Sequence, residues 1–191
     1  MDELVLQSLN SHMRMFEAII ANELENIRRC GEMIWSALKN GNKVLLCGNG
    51  GSAADAQHIA AEFVGRYEKE RVAYPSIALT TDTSALTAIG NDYGYERVFA
   101  RQVEALANNG DVLVAISTSG NSPNVIAAIE AAREKGCVVI GMTGPTGGKM
   151  RDLCDALFAV PADRTARIQE AHITIGHLWC EYVDAAATNG Y

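Results

Sequence analysis

The stretch KVLLCGNGGSAAD, Lys43 to Asp55, opens on a continuous apolar run, Lys43 to Cys47, and breaks into glycines and small polar residues. A run that lacks the period-two alternation of a half-exposed strand marks a strand covered on both faces, which is how parallel sheets are built. Four further runs share the pattern: Ser76 to Leu79, Val112 to Ser117, Cys137 to Met142 and Ala156 to Val160. Helical patterns lie between and after them, over Ser52 to Arg66, Tyr95 to Ala107, Pro123 to Lys135 and Thr165 to Ala187. Strands alternating with helices in this way predict an α/β fold, a three-layer α/β/α sandwich around a five-stranded parallel sheet.

Ahead of the first strand, Met1 to Lys39 contains no proline and one glycine, Gly31. Val5, Leu9, Met13, Phe16, Ile20, Leu24 and Ile27 recur there at steps of three and four, the signature of one long amphipathic helix or two in series. That is more helix than one face of a small sheet needs, so part of the apolar stripe is expected to pack on another subunit. A chain of 191 residues suits one domain. The expected organisation is a single unit, 1–191, with a helical assembly segment over 1–40 and an α/β core over 41–191.

Composition excludes several classes. With 48% hydrophobic and 20% charged residues the chain is neither disordered nor fibrous. Sixteen Lys and Arg against 23 Asp and Glu give a formal charge of -7 without any basic cluster, which argues against nucleic acid and anionic membranes as partners. Cys30, Cys47, Cys137, Cys154 and Cys180 are odd in number and include no CxxC pair, so reduced, mostly buried thiols are expected. The MDEL start lacks a signal peptide's basic and apolar regions, and no run is apolar enough to cross a membrane. A cytoplasmic location follows as the expectation.

In open parallel sheets ligands sit where strands end and helices begin. Two such loops stand out. After the first strand, Gly48, Gly50 and Gly51 surround Asn49 and allow close backbone approach, with Ser52 placed to cap the next helix. After the third strand, Ser117-Thr118-Ser119-Gly120-Asn121-Ser122-Pro123 offers four hydroxyls at a helix start, with Ser122 suited to the N-cap and Pro123 to the first turn. Hydroxyls and helix amides can hold a phosphomonoester without a basic patch. The same residue types also make ordinary turns. Neither loop is GxxxxGK[ST], which excludes a nucleoside-triphosphate P-loop, and Ala53 stands where a dinucleotide fingerprint wants its third glycine.

Chemistry-bearing side chains fall on two of the helices. His58 and Glu62, four apart, share a face and can bind a common metal or pass a proton. Gln169 and His177, eight apart on the last helix, point roughly the same way. His172 between them either joins the site or satisfies a hydrogen bond beside it, and His12 reads as a surface residue. Asn91-Asp92, after Gly90, is expected in a loop that reaches the ligand crevice. Trp35 and Trp179 read as core or interface rather than as a ligand platform.

Five segments in order, CGNGGSAADAQHIAAEFVGRY (Cys47 to Tyr67), GND (Gly90 to Asp92), GDVLVAISTSGNSPNVI (Gly110 to Ile126), TGPTGGKM (Thr143 to Met150) and ARIQEAHITIGH (Ala166 to His177), resemble the sugar isomerase (SIS) domain family, and within it the phosphoheptose isomerases. The resemblance spans nearly the whole chain and implies a flavodoxin-like sandwich whose long helices assemble a homotetramer. It further implies that Asn49, Gly50, Gly51, Ser52, Asn91 and Asp92 contact substrate, together with Glu62 and Gln169. Ser117, Thr118, Ser119 and Ser122 would hold the phosphate. His58, Glu62, Gln169 and His177 would bind one zinc ion per subunit, with Glu62 and His177 as the acid/base pair. The implied reaction converts D-sedoheptulose 7-phosphate into D-glycero-D-manno-heptose 7-phosphate through an enediol, the first step toward the heptose of lipopolysaccharide core. Two alternatives stay open: an isomerase of another phosphosugar, and a non-enzymatic SIS-fold regulator of the bacterial replication initiator, which would lack the full acid/base set.

Overall fold

The computed structural model describes residues 1–189. Five strands form one sheet: β1 (Val44–Gly48), β2 (Ser76–Ala78), β3 (Val112–Ser117), β4 (Val138–Thr143) and β5 (Ala156–Ala159). Their spatial order is β2-β1-β3-β4-β5, and every pairing is parallel, so the expected five-stranded parallel sheet is present. All five residues of β1 and all six of β3 are buried, which is why both read as unbroken apolar runs.

Seven α-helices surround the sheet: α1 (Asp2–Asn22), α2 (Leu24–Lys39), α3 (Gly51–Val64), α4 (Thr83–Tyr93), α5 (Ala100–Leu106), α6 (Pro123–Glu134) and α7 (Thr165–Asn189). Alternate strand residues supply two cores. Val44, Leu46, Val112, Val114 and Ile116 pack with α1, α2, α3 and α7, where Trp179, Phe63, Ile34 and Ile59 are fully buried. Leu45, Cys47, Leu113, Ala115 and Val139 face α5 and α6 with Phe99, Val103 and Ile129. The five cysteines are free and all but Cys154 are buried, with the Cys47 thiol pushed up to about 12 by burial. Trp179 donates its indole N–H to the Ile27 carbonyl at 3.1 Å, and Trp35 meets Tyr74 edge-on, a packing role for both.

Of the two readings of the N-terminal segment, two helices in series is the one present, broken at Glu23. Several other expectations need correction. Asn91 and Asp92 lie in a helix rather than a loop. Asp82 starts α4 by accepting the Ala85 N–H at 2.9 Å, and Gly94, at φ +86°, ends it. That helix buries none of its residues fully, which removes the apolar stripe by which it would have been read. The Tyr95 to Ala107 helix is instead a short 3-10 turn, Tyr95–Arg97, followed by α5. Ser52 caps nothing: Gly50, at φ +57°, occupies the N-cap position, and Ser52 is buried one residue into α3. Finally, His12 is only partly exposed, with Nδ1 2.7 Å from a Glu170 carboxylate oxygen.

Candidate active site

The strand order reverses between β1 and β3, whose outgoing connections run to opposite faces of the sheet, and both candidate loops leave the sheet there. In the loop after β3, the Ser117 hydroxyl lies 2.8 Å from that of Ser122 and 3.4 Å from that of Ser119. Ser122 occupies the N-cap of α6 with Pro123 as the first helical residue, as expected, but its side chain does not cap the helix. The hydroxyls bond one another, leaving the helix terminus with partial positive charge and no side-chain acceptor in place. An oxyanion can take that position.

This loop is braced from behind. Gly120 has φ +66°, and a Cβ there would sit 2.1 Å from the Gly147 carbonyl oxygen, so only glycine fits. The Gly144 N–H donates to Thr118 O at 2.9 Å, and the Lys149 N–H donates to the Asn121 side-chain oxygen at 3.1 Å. The segment after β4 thus holds the serine loop in shape.

In the loop after β1, Asn49 and Asn124 exchange two amide hydrogen bonds at 2.9 and 2.8 Å, and the Tyr95 hydroxyl donates to Asn49 at 3.3 Å. The paired amides tie the two loops together. Asn49, Tyr95, Glu96, Ser122, Pro123 and Asn124 line an adjoining cleft of about 270 Å³. Gly51 opens α3 directly against Gln169 of α7: a Cβ there would come within 2.5 Å of the Gln169 amide nitrogen.

One turn and more along α3, His58 and Glu62 meet α7. His58 Nε2 lies 2.9 Å from His177 Nε2 and 3.2 Å from a Glu62 carboxylate oxygen. One of the two ring nitrogens carries the shared proton, and the Tyr67 ring stacks on His177 at 5.5 Å. Partial burial, then the neighbouring His58 charge, lower the His177 pKa, so the neutral imidazole prevails near neutrality. The helices come this close because Gly176 has no side chain: a Cβ would lie 2.3 Å from Ile59 Cδ1.

The family model described as SIS domain matches residues 9–144. The chain belongs to the SIS domain family. A phosphoheptose isomerase of Aliarcobacter butzleri (strain RM4018) is 56% identical over 184 residues, spanning 96% of this chain and 97% of that one. Another from Aneurinibacillus thermoaerophilus is 53% identical over 97% of this chain and 95% of that protein. Among solved structures, the phosphoheptose isomerase GmhA from Neisseria gonorrhoeae superposes with a TM-score of 0.91 at 48% identity, covering 96% and 98% of the two chains.

Within this SIS domain the structure brings together His58, Glu62 and His177, and places Gln169 against Gly51. It also gathers Ser117, Ser119 and Ser122. Asn91 and Asp92 stand apart: they are exposed at the end of α4, and their recorded side-chain bond is to each other, at 2.8 Å. His172 is fully buried and faces away from the cluster, with Nε2 3.1 Å from the Thr143 carbonyl; the ambiguity resolves to a structural hydrogen bond. Sequence reasoning missed Asn124 and Gly176. For Gly176, a glycine inside an otherwise unbroken helix was the available signal of close packing.

Two imidazole nitrogens, a carboxylate and an amide oxygen form a donor set that fits zinc. Among the described residues no three His, Cys, Asp or Glu side chains already converge on one point as a finished metal cage.

Proposed function

We propose that this chain is an aldose-ketose isomerase that converts D-sedoheptulose 7-phosphate into D-glycero-D-manno-heptose 7-phosphate, the step that supplies heptose for lipopolysaccharide core. The observation that carries the reading is the Glu62, His58 and His177 cluster in a chain so similar to phosphoheptose isomerases. The acid/base side chains set it apart from a SIS-fold regulator that lacks them.

The hydroxyls of Ser117, Thr118, Ser119 and Ser122 and the start of α6 hold the phosphate at one end of an extended sugar. That grip positions carbons 1 and 2 near α3 and α7. Glu62 takes the proton from carbon 1, and the electron pair moves toward carbon 2 as its oxygen gains a proton from His177. The resulting enediol loses its oxygen-1 proton back to His177 and receives a proton at carbon 2 from Glu62, which restores both side chains. Asn49, Gly50 and Gly51 would line the sugar's approach, and Asn91 and Asp92 remain substrate contacts only on the family resemblance.

His58, Glu62, Gln169 and His177 would hold one zinc ion, which when bound polarises substrate oxygens and offsets enediolate charge. Glu62 would then serve both as a ligand of that ion and as the base.

On α1, Leu6, Leu9, Met13 and Ile20 form an exposed stripe with 7-residue spacing between Leu6, Met13 and Ile20. A second copy of this chain is the occupant that matches such a seam, with a homotetramer as the assembly and no nucleic acid or membrane as partner. No helix among the described residues is long and apolar enough to cross a membrane. We place the enzyme in the cytoplasm on its sugar-phosphate substrate.

Isomerisation of sedoheptulose 7-phosphate by the unmodified chain, Glu62→Gln and His177→Gln, with metal content measured alongside, tests the reading. Each variant should lose about 10²- to 10⁴-fold in kcat. An inactive parent chain, or two fully active variants, overturns it.

A further inference from the structure

A second cleft of about 330 Å³ lies between α1 and the start of α7, lined by Ser11, Arg14, Met15, Pro161, Asp163, Arg164 and Arg167 among others. It shares no lining residue with the cleft beside the serine loop. Three of its residues are arginines, in a chain with only 16 Lys and Arg against 23 Asp and Glu.

The arginines are not equivalent. Arg167 is 9% exposed, and its guanidinium is held by the Ser8 carbonyl at 2.6 Å, the Ser8 hydroxyl at 2.9 Å and the Glu170 carboxylate. Its Nε is buried with no hydrogen-bond partner. A guanidinium N–H stripped of water and unmatched costs free energy that an acceptor would recover. Arg14 and Arg164 are exposed, and neither guanidinium is engaged in a hydrogen bond or ion pair among the described residues.

Asp163 also lines the cleft, and Glu170 answers Arg167, so three guanidiniums face two carboxylates and a net positive charge of one remains. The first turn of α7, a 25-residue helix, adds its partial positive charge at the same edge. Guanidinium forks match the planar acceptor pairs of phosphate and carboxylate. At this volume the cleft admits a small metabolite rather than a polymer.

We infer that this cleft is a second, non-catalytic binding site for a phosphate-bearing small molecule, with Arg167 as its buried floor and Arg14 and Arg164 as its two arms. Met15 and Ile19 turn the buried face of α1 toward the core, whereas Leu6, Leu9, Met13 and Ile20 point away from it, so a subunit seated on the exposed stripe does not occupy the cleft. The inference does not depend on which sugar phosphate the enzyme isomerises.

Inorganic phosphate is the probe, titrated calorimetrically into the full chain, R14A/R164A and S119A/S122A. The expected stoichiometry is two phosphates per chain for the parent and one for each double variant, with R14A/R164A losing the cleft event at least tenfold in affinity. Sedoheptulose 7-phosphate turnover, measured without added phosphate, should be unchanged in R14A/R164A. Titration of R14A/R164A indistinguishable from the parent overturns the inference, as does the absence of any phosphate binding in S119A/S122A. Loss of turnover in the parent with the two-site titration intact would instead sink the isomerase reading and leave the cleft standing.

Discussion

At the scale of single residues, the site depends on atoms that are missing as much as on those present. Gly51 has no side chain where Gln169 reaches across from α7. Gly51→Ala pushes that amide aside, and because the obstruction is the end of a flexible side chain, the fold tolerates it. The expected outcome is a melting temperature within a few degrees of the parent with kcat down at least tenfold, read by assay and thermal melt. His172 acts in the opposite direction, on stability rather than turnover. Burial lowers its pKa to about 4, with the Thr143 carbonyl accepting from Nε2 and Nδ1 left without a partner. A histidine whose folded pKa lies below the unfolded 6.5 contributes stability that is complete above pH 6.5 and is lost as pH falls toward 4. Asp55, raised to about 6 by desolvation, has the opposite sign, so the comparison must be with a variant that keeps it. Relative to His172→Gln, the parent chain should lose about 2 kcal/mol between pH 7 and pH 5 in urea unfolding.

Elements rather than residues decide whether Glu62 and His177 come near each other. Glu62 and His177 sit on helices that touch through Ile59 and Gly176, one position away from His58 and His177 respectively. The loop after α3 is locked to α7 as well: buried Asp184 accepts from Arg71 Nε and from the Glu68 and Lys69 N–H groups, while Arg71 also donates to the Glu62 carbonyl. Gly176→Ala forces these helices apart in a full core. It should cost about 1–3 kcal/mol in chemical denaturation and lower kcat more than it raises KM. The strands were legible because burial on both faces writes itself as an unbroken apolar run, and each lies within a residue of its expected bounds. Ser117 to Ser122 were legible because turn and cap chemistry is local. α4 was not, since a helix with no fully buried residue leaves no periodic trace, and Asn91-Asp92 was consequently placed in a loop. Nor could spacing reveal the Asn49–Asn124 pair, which depends on a loop and a helix start 75 residues apart being brought together by the sheet.

For the whole molecule, the first helix leaves a stripe of apolar side chains uncovered. Leu9 and Met13 are each 56% exposed on α1, an expense for a lone chain in water. Leu9→Glu with Met13→Glu should therefore yield a smaller species in light scattering at micromolar concentration, while the α/β core keeps its circular dichroism. The serine loop has a consequence at this scale too. None of the residues from Ser117 to Ser122 carries a formal charge, and they sit in a molecule of net charge -7. Dissolved ions weaken attraction between opposite charges, but here the long-range field repels the arriving dianion and the short-range grip is dipolar. Raising ionic strength should leave KM flat or lower it slightly, and should quicken encounter, the reverse of what an arginine-built phosphate pocket would do.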